Sequence, residues 1–276
     1  MFAVLLAAGT TAGALTVPAS PAAAAPGPVV LVSATSASNS ATAKSAVAAC
    51  PDDHPYVYSA GGQVTGGTGL VTLTDAYALG DLRSVVAWGH ENGSYAGSWS
   101  VSAYATCGTS SQVQRVTEAT ASDGSPGKSI TARCPGATTL YGVGWEMTGA
   151  FGAALPTAAR PNNTVTALTV EAYASNGYAA NWKLVAHAIC GPRPASLSLQ
   201  TSIGDPDYAG PRTELAPGCP VGAVRYAVGG EIVGSGADGY LALSKLGSGE
   251  PGTTGETLGW WWYWLFQTVS YSICAP

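Results

Sequence analysis

Six cysteines constrain this 276-residue chain more than any other feature. Cys50, Cys134 and Cys219 stand 84 and 85 residues apart, and Cys107, Cys190 and Cys274 stand 83 and 84 apart. A fixed interval on that scale marks an internal repeat, and the flanking residues agree with it. Pro follows each first cysteine. Seven or eight residues later comes Tyr-x-x-Gly, in the versions YSAGGQVTG, YGVGWEMTG and YAVGGEIVG. An aromatic-led run precedes each second cysteine: WSVSAYATC, WKLVAHAIC and FQTVSYSIC. Lys44 and Lys128 approach their cysteines in register, whereas the third copy reads DPDYAGPRT and has drifted. The repeats divide the chain into units over 28–110, 111–193 and 194–276.

Within a unit the hydrophobic period is 2 rather than 3.6. In WSVSAYATC, Trp99, Val101, Ala103 and Ala105 alternate with Ser100, Ser102 and Tyr104, and ALTVEAYA and LVTLTDA alternate likewise. Such runs between Gly, Asn and Pro clusters predict antiparallel strands. ENGS at 91–94 and SNG at 175–177 fit hairpin tips, because Asn and Gly tolerate positive φ. About five strands per unit and no helix are expected, which makes the chain all-β.

The first 25 residues, MFAVLLAAGTTAGALTVPASPAAAA, combine a short apolar run, small residues and an A-x-A end. That is the form of a secretory signal, although the positive n-region is missing. No other run reaches the ~18–20 apolar residues that span a bilayer, so the expected location is secreted, with no transmembrane segment after signal removal. Charged residues make up only 10%, against roughly 25% in ordinary globular chains. Eleven scattered Lys and Arg under a net charge of −5 form no basic stripe, which argues against nucleic acid.

In an exported chain, six cysteines mean a disulfide framework, with 15 pairings open. Repeat symmetry reduces these to two schemes. One pairs Cys50–Cys107, Cys134–Cys190 and Cys219–Cys274 within units; the other links neighbouring units in a ring. The joint recurrence of each CP turn with the final strand of its own copy favours the first. Zinc binding needs C-x-x-C or Cys/His clusters, which the sequence lacks; no metal or cofactor is expected.

The KS, CP, GG and W-x-V-x-A-Y-A-x-C sequence resembles a family of exported actinobacterial repeat proteins, mostly described only as secreted. The resemblance implies secretion and tandem β units, and brings no catalytic residues with it. In architecture the chain is similar to the vitelline membrane outer layer proteins, in which three Cys-bearing β repeats form one prism with a pseudo-threefold axis. Three tandem antiparallel β repeats in pseudo-threefold β-prism-like packing are therefore the expected fold, with three separate β-sandwich-like units as the alternative.

Candidate chemistry is sparse. His187 stands where the sister copies have Tyr104 and Tyr271 and is most simply a strand residue; His90 and His54 lie beside turns. There is no G-x-S-x-G, H-E-x-x-H or phosphate-binding glycine loop. Gln63, Glu146 and Glu231 share one repeat position, after the glycine pair. Convergence about an axis would allow a glycosidase pair of carboxylates; otherwise they decorate strand faces. The most unusual stretch is GWWWYWLF, 259–266. Counting back from Phe266, which matches Trp99 and Trp182, aligns Trp260, Trp261, Trp262, Tyr263 and Trp264 with NGYAA of the second copy. Exposed aromatics of this kind serve glycan or interface contact; the alternative is burial between repeats. The sequence thus predicts a secreted, non-catalytic binding or envelope-associated protein, with cell-wall or extracellular glycan as leading partner. A glycan-active hydrolase using Glu146 and Glu231, or a purely structural surface protein, are the alternatives.

Overall fold

A computed structural model describes residues 28–175, 177–206, 211–234, 241–247, 252–257 and 265–276. The leader and the run from Trp260 to Trp264 lie outside the described residues. Among the described residues the regular elements are all strands. The first unit supplies β1 (Val30–Thr35), β2 (Ala43–Ala49), β3 (Tyr56–Thr65), β4 (Val71–Ala78), β5 (Ser84–Glu91) and β6 (Ser100–Gly108). The second supplies β7 (Gln114–Ala119), β8 (Gly127–Arg133), β9 (Thr138–Gly142), β10 (Trp145–Thr148), β11 (Ala154–Pro161), β12 (Ala167–Ala174) and β13 (Lys183–Pro192). The third supplies β14 (Ser198–Ile203), β15 (Arg212–Leu215), β16 (Val224–Gly234), β17 (Leu241–Gly247), β18 (Gly252–Thr257) and β19 (Phe266–Ala275). Among the described residues, six or seven strands per unit exceed the expected five.

The strands form three antiparallel sheets. Sheet I runs β1-β6-β3-β17-β18-β15; sheet II runs β2-β5-β4-β10-β13-β7, with β9 beside β13; sheet III runs β14-β19-β16-β11-β12-β8. Every sheet takes three strands from each of two units, with β9 as a fourth from the second unit in sheet II, and the exchange is cyclic. The first unit feeds sheets I and II, the second II and III, the third III and I. Separate sandwich-like units are thereby excluded, since no unit completes a sheet alone.

Three short seams join the halves. In sheet I, Gln63 lies opposite Lys245 and Gly62 opposite Leu246. In sheet II, Trp145 lies opposite Ala76. In sheet III, Ala158 lies opposite Glu231 and Ala159 opposite Gly230. The glycine of Tyr-x-x-Gly makes these approaches possible. A Cβ on Gly61, Gly144 or Gly229 would fall 2.4, 3.1 or 3.0 Å from the carbonyl oxygen of Leu246, Ala76 or Ala159. The tyrosine of the same motif does the complementary task. Tyr58, Tyr141 and Tyr226, all buried, meet with ring centroids 5.2 to 5.5 Å apart, in the edge-on and tilted geometries that aromatic quadrupoles favour.

The cysteines pair within units: Cys50–Cys107, Cys134–Cys190 and Cys219–Cys274. The first cysteine of each pair leaves a strand of one sheet and the second sits in a strand of another. Cys50 follows β2 of sheet II and joins β6 of sheet I; Cys134 follows β8 of sheet III and joins β13 of sheet II; Cys219 follows β15 of sheet I and joins β19 of sheet III. The three bonds therefore clamp the sheets pairwise.

Burial corrects the expectation of one-sided alternation. The edge strand β1 alternates half-buried and exposed positions, but β4 and β6 are buried at nearly every residue. Their polar positions Thr72, Thr74, Ser100, Ser102 and Thr106 are themselves buried, so alternation in sequence does not become alternation in exposure. On the core side, the lysines of the KS approach are also buried. Lys44 places Nζ 4.0 Å from the ring centre of Trp99 and donates to the carbonyls of Asn39 and Trp99. Lys128 lies over Trp182 at 5.1 Å, donating to Ala121 O at 3.0 Å and to Asp123 Oδ1 at 2.6 Å. Arg212 takes the same register in the third unit, opposite Gly255 as Lys44 is opposite Gly89 and Lys128 opposite Ala172.

Candidate functional site

Gln63, Glu146 and Glu231 do not converge. Each stands on its own seam in its own sheet, so the Glu146–Glu231 pairing considered for hydrolysis is not assembled by any described contact. Instead each meets a residue of the last strand of its own unit. Tyr104 Oη donates to Gln63 Oε1 at 2.7 Å, His187 Nε2 lies 3.3 Å from Glu146 Oε2, and Tyr271 Oη donates to Glu231 Oε1. The two repeat positions that the sequence offered separately are thus partners, and His187 does in the second unit what tyrosine does in the others.

The neighbouring unit gives each seam a different character. At the third seam Arg160 closes the site, donating from Nη1 to Glu231 Oε2 and from Nη2 to Glu171 Oε1, both at 2.7 Å. At the first seam Gln63, Thr213, Ser244, Lys245 and Thr254 line a polar cleft of about 250 Å³. The second seam is the distinctive one. Asp75, Tyr77, Trp88, His90, Glu146 and Phe151 line an open cleft of about 230 Å³.

Its aromatic wall is a row. Trp88 stacks on His90 with ring centroids 6.0 Å apart, and His90 meets the edge of Phe151 at 6.2 Å. Trp88 is 37% exposed and Phe151 75%. Phe151 also has a positive φ of 39°, an uncommon backbone state for a bulky residue and one that recurs at binding sites. Tyr77, also in the lining, stacks on His187 at 4.9 Å and 25°. His187 keeps its other ring nitrogen 3.2 Å from Thr117 Oγ1, which fixes the imidazole between Thr117 and Glu146.

The two carboxyl groups of the cleft are pushed in opposite directions. The hydrogen bond with His187 holds Glu146 below the ordinary carboxylate range, against the opposing effect of burial. Burial pushes Asp75 up to about 7, with the field of Glu146 adding to it. Carboxyls separated in this way suit acid and base roles, but Asp75 is occupied by the protein. Oδ1 accepts the Met147 N–H at 2.7 Å and Oδ2 lies 2.7 Å from Thr74 Oγ1. Thr74 Oγ1 is itself 2.9 Å from His90 Nδ1, so Asp75 braces the aromatic row from below. Burial likewise lowers the pKa of His90, favouring its neutral form. Glu146 is different: beyond His187 it has only a long contact, 3.4 Å from Thr148 Oγ1 to its Oε1. An ionised acceptor beside exposed ring faces is what the cleft presents to solvent.

Of the sequence candidates, Glu146 falls in this cleft, Gln63 in the polar cleft of the first seam, and Glu231 in the closed ionic site of the third. Trp88, Phe151, Tyr77 and Asp75 were missed. A tryptophan in an otherwise small-residue strand, SVVAWGHE, was the available signal for Trp88; Phe151, in the turn after β10, carried none. A third, apolar cleft of about 350 Å³ is lined by Pro206, Val233, Gly234, Leu265, Phe266 and Gln267, and Leu265 directly follows the tryptophan run in sequence. Among the described residues no group of His, Cys, Asp and Glu is arranged to hold a metal ion, and no helix is long and apolar enough to cross a membrane. Compared with known proteins, the chain matches no family model and no curated sequence.

Proposed function

We propose that this is a secreted, non-catalytic glycan-binding protein whose ligand lies in the cleft of the second seam. The observation that carries the reading is the row Trp88–His90–Phe151, exposed at its two end rings, which lines one cleft together with the Glu146 carboxylate. Sugar rings offer apolar faces for stacking and hydroxyls for a carboxylate, and ligand sites combine apolar walls with a few placed polar groups. The leader-like N-terminus and three disulfides support an oxidising, extracellular setting. The cyclic exchange of strands and the meeting of Tyr58, Tyr141 and Tyr226 support a prism about a pseudo-threefold axis, similar to that of vitelline membrane outer layer proteins. In that arrangement the three seams are equivalent positions that have diverged, one remaining open and aromatic.

The tryptophan run is the second proposed contact. Trp260, Trp261, Trp262, Tyr263 and Trp264 immediately precede in sequence Leu265, which lines the apolar cleft, and alternation along any strand would turn part of such a run away from a core.

Pull-down on insoluble peptidoglycan, chitin and cellulose, beside melting curves, tests both contacts. Trp88→Ala with Phe151→Ala should abolish retention, and Phe151→Ala alone should weaken it while leaving the melting temperature within a few degrees, since that side chain is 75% exposed. Trp261→Ala with Tyr263→Ala should weaken retention. Retention unchanged in the first double variant defeats the reading of the cleft. Release of reducing sugar by wild type, lost in Glu146→Gln and Glu231→Gln, would establish the hydrolase instead.

A further inference from the structure

We infer that the second-seam cleft selects a sugar unit bearing a free amino group, its ammonium held between the Glu146 carboxylate and the faces of Trp88 and Phe151. The inference rests on the glycan reading above and narrows its ligand class. The lining supplies the reasons. Its described residues include the acids Asp75 and Glu146 and neither lysine nor arginine. Glu146 is the one with acceptor capacity left, because His187 occupies Oε2 and only the long Thr148 contact reaches Oε1. Trp88 and Phe151 add the negative faces of their ring quadrupoles, which attract a cation most strongly where it is partly desolvated.

A neutral sugar satisfies Glu146 with a hydroxyl; an ammonium satisfies it with a charge-assisted bond, roughly twice as strong, and gains the ring faces as well. At about 230 Å³ the cleft is smaller than the ~300–1,000 Å³ of pockets for drug-sized ligands, so it suits one ring of a chain rather than a long oligomer. The sister seams cannot substitute for it. Arg160 already neutralises Glu231, and the first seam has Gln63 in place of the acid and Lys245 in its lining. The opposing charge nearest Glu146 along the strands is Lys183, paired opposite Thr148, whose field adds to that of His187 in favouring the ionised carboxylate.

Titration calorimetry on the whole protein, at one pH and ionic strength, tests this with three tetrasaccharides: fully deacetylated glucosamine, N-acetylglucosamine and glucose. The expected result is about 10-fold tighter binding of the free-amine tetramer than of either neutral one, the ratio that one stronger charge-assisted contact provides. Glu146→Gln should bring that ratio close to one. Glu118→Gln removes the same charge from an exposed position on β7 and should leave the ratio unchanged, which separates the cleft from general attraction to an acidic protein. Equal binding of amine and acetylated tetramers overturns the inference and leaves the glycan reading standing. A preference that survives Glu146→Gln also overturns it. Failure to retain or bind any carbohydrate, in solution or on insoluble polymer, overturns both.

Discussion

The main-chain N–H of Met147 donates to Asp75 Oδ1 at 2.7 Å, so a carboxyl of the first unit receives the backbone of the second across the seam of sheet II. Asp75 is 7% exposed, and burial raises its pKa to about 7. The sign of the consequence follows from linkage. A carboxyl that ionises at about 4 when unfolded but near 7 when folded costs no stability below pH 4. The fold loses stability progressively as pH rises toward 7, and the full cost is present above it. The rise from about 4 to about 7 corresponds to on the order of 4 kcal/mol. Asp75→Asn keeps an acceptor for Met147 and offers Thr74 a donor, without the charge. The variant should match wild type in denaturant midpoint at pH 4 and exceed it at pH 8. Parallel midpoints across that range would show that the buried carboxyl is not neutralised by its site.

Each disulfide joins two sheets, and that makes the unit-by-unit pairing a fold-wide clamp. Closing a loop of about 56 residues restricts the unfolded chain by roughly 4 kcal/mol in the entropic account. Cys134→Ala with Cys190→Ala unties sheet III from sheet II and should lower stability by about 2–5 kcal/mol, read from urea unfolding. Native, unreduced protein should take up no thiol label, because all six cysteines are paired. Labelling of two or more would contradict the clamp.

The repeat, the period of 2 and the preferred disulfide scheme are legible in sequence because each is written locally, in CP, Tyr-x-x-Gly and W-x-V-x-A-Y-A-x-C. What the glycine and tyrosine of Tyr-x-x-Gly accomplish is not legible there. Gly61 is set by the carbonyl of Leu246, and Tyr58 by two tyrosines from other units. Pairing between units depends on register over more than 60 residues, for which a single sequence holds no local signal. The same holds for the site. Glu146 and His187 were each noticed as repeat positions, but their contact joins β10 to β13. Asp75 reads as one polar residue in LVTLTDAYA until β10 is laid beside it. Arg212 looked like drift because DPDYAGPRT lost the KS text, yet strand register restores it to the place of Lys44 and Lys128.

Arg160 provides the sharpest comparison between seams. Ala158 has Glu171 opposite on one side and Glu231 opposite on the other, so both glutamates flank one strand. Arg160, two residues on, projects from the same face as Ala158 and bridges the two carboxylates at 2.7 Å each. The guanidinium fork suits this double contact, which a point-charge lysine cannot reproduce. With Arg160 about one-third exposed, solvent screening reduces the energy below the 3–5 kcal/mol of a fully buried pair, toward about 1–3 kcal/mol. Arg160→Met should therefore destabilise by that amount at pH 7. Two carboxylates left facing each other repel, and salt screens both that repulsion and the intact bridge, so the deficit should shrink as ionic strength rises. Glu231→Gln in the Arg160→Met background should recover part of the loss at pH 7 by removing the repulsion. Urea midpoints for the single and double variants at pH 7, in low and in high salt, read all three expectations. A deficit of the same size at both salt concentrations would assign the effect of Arg160 to packing of its alkyl stem rather than to the bridge.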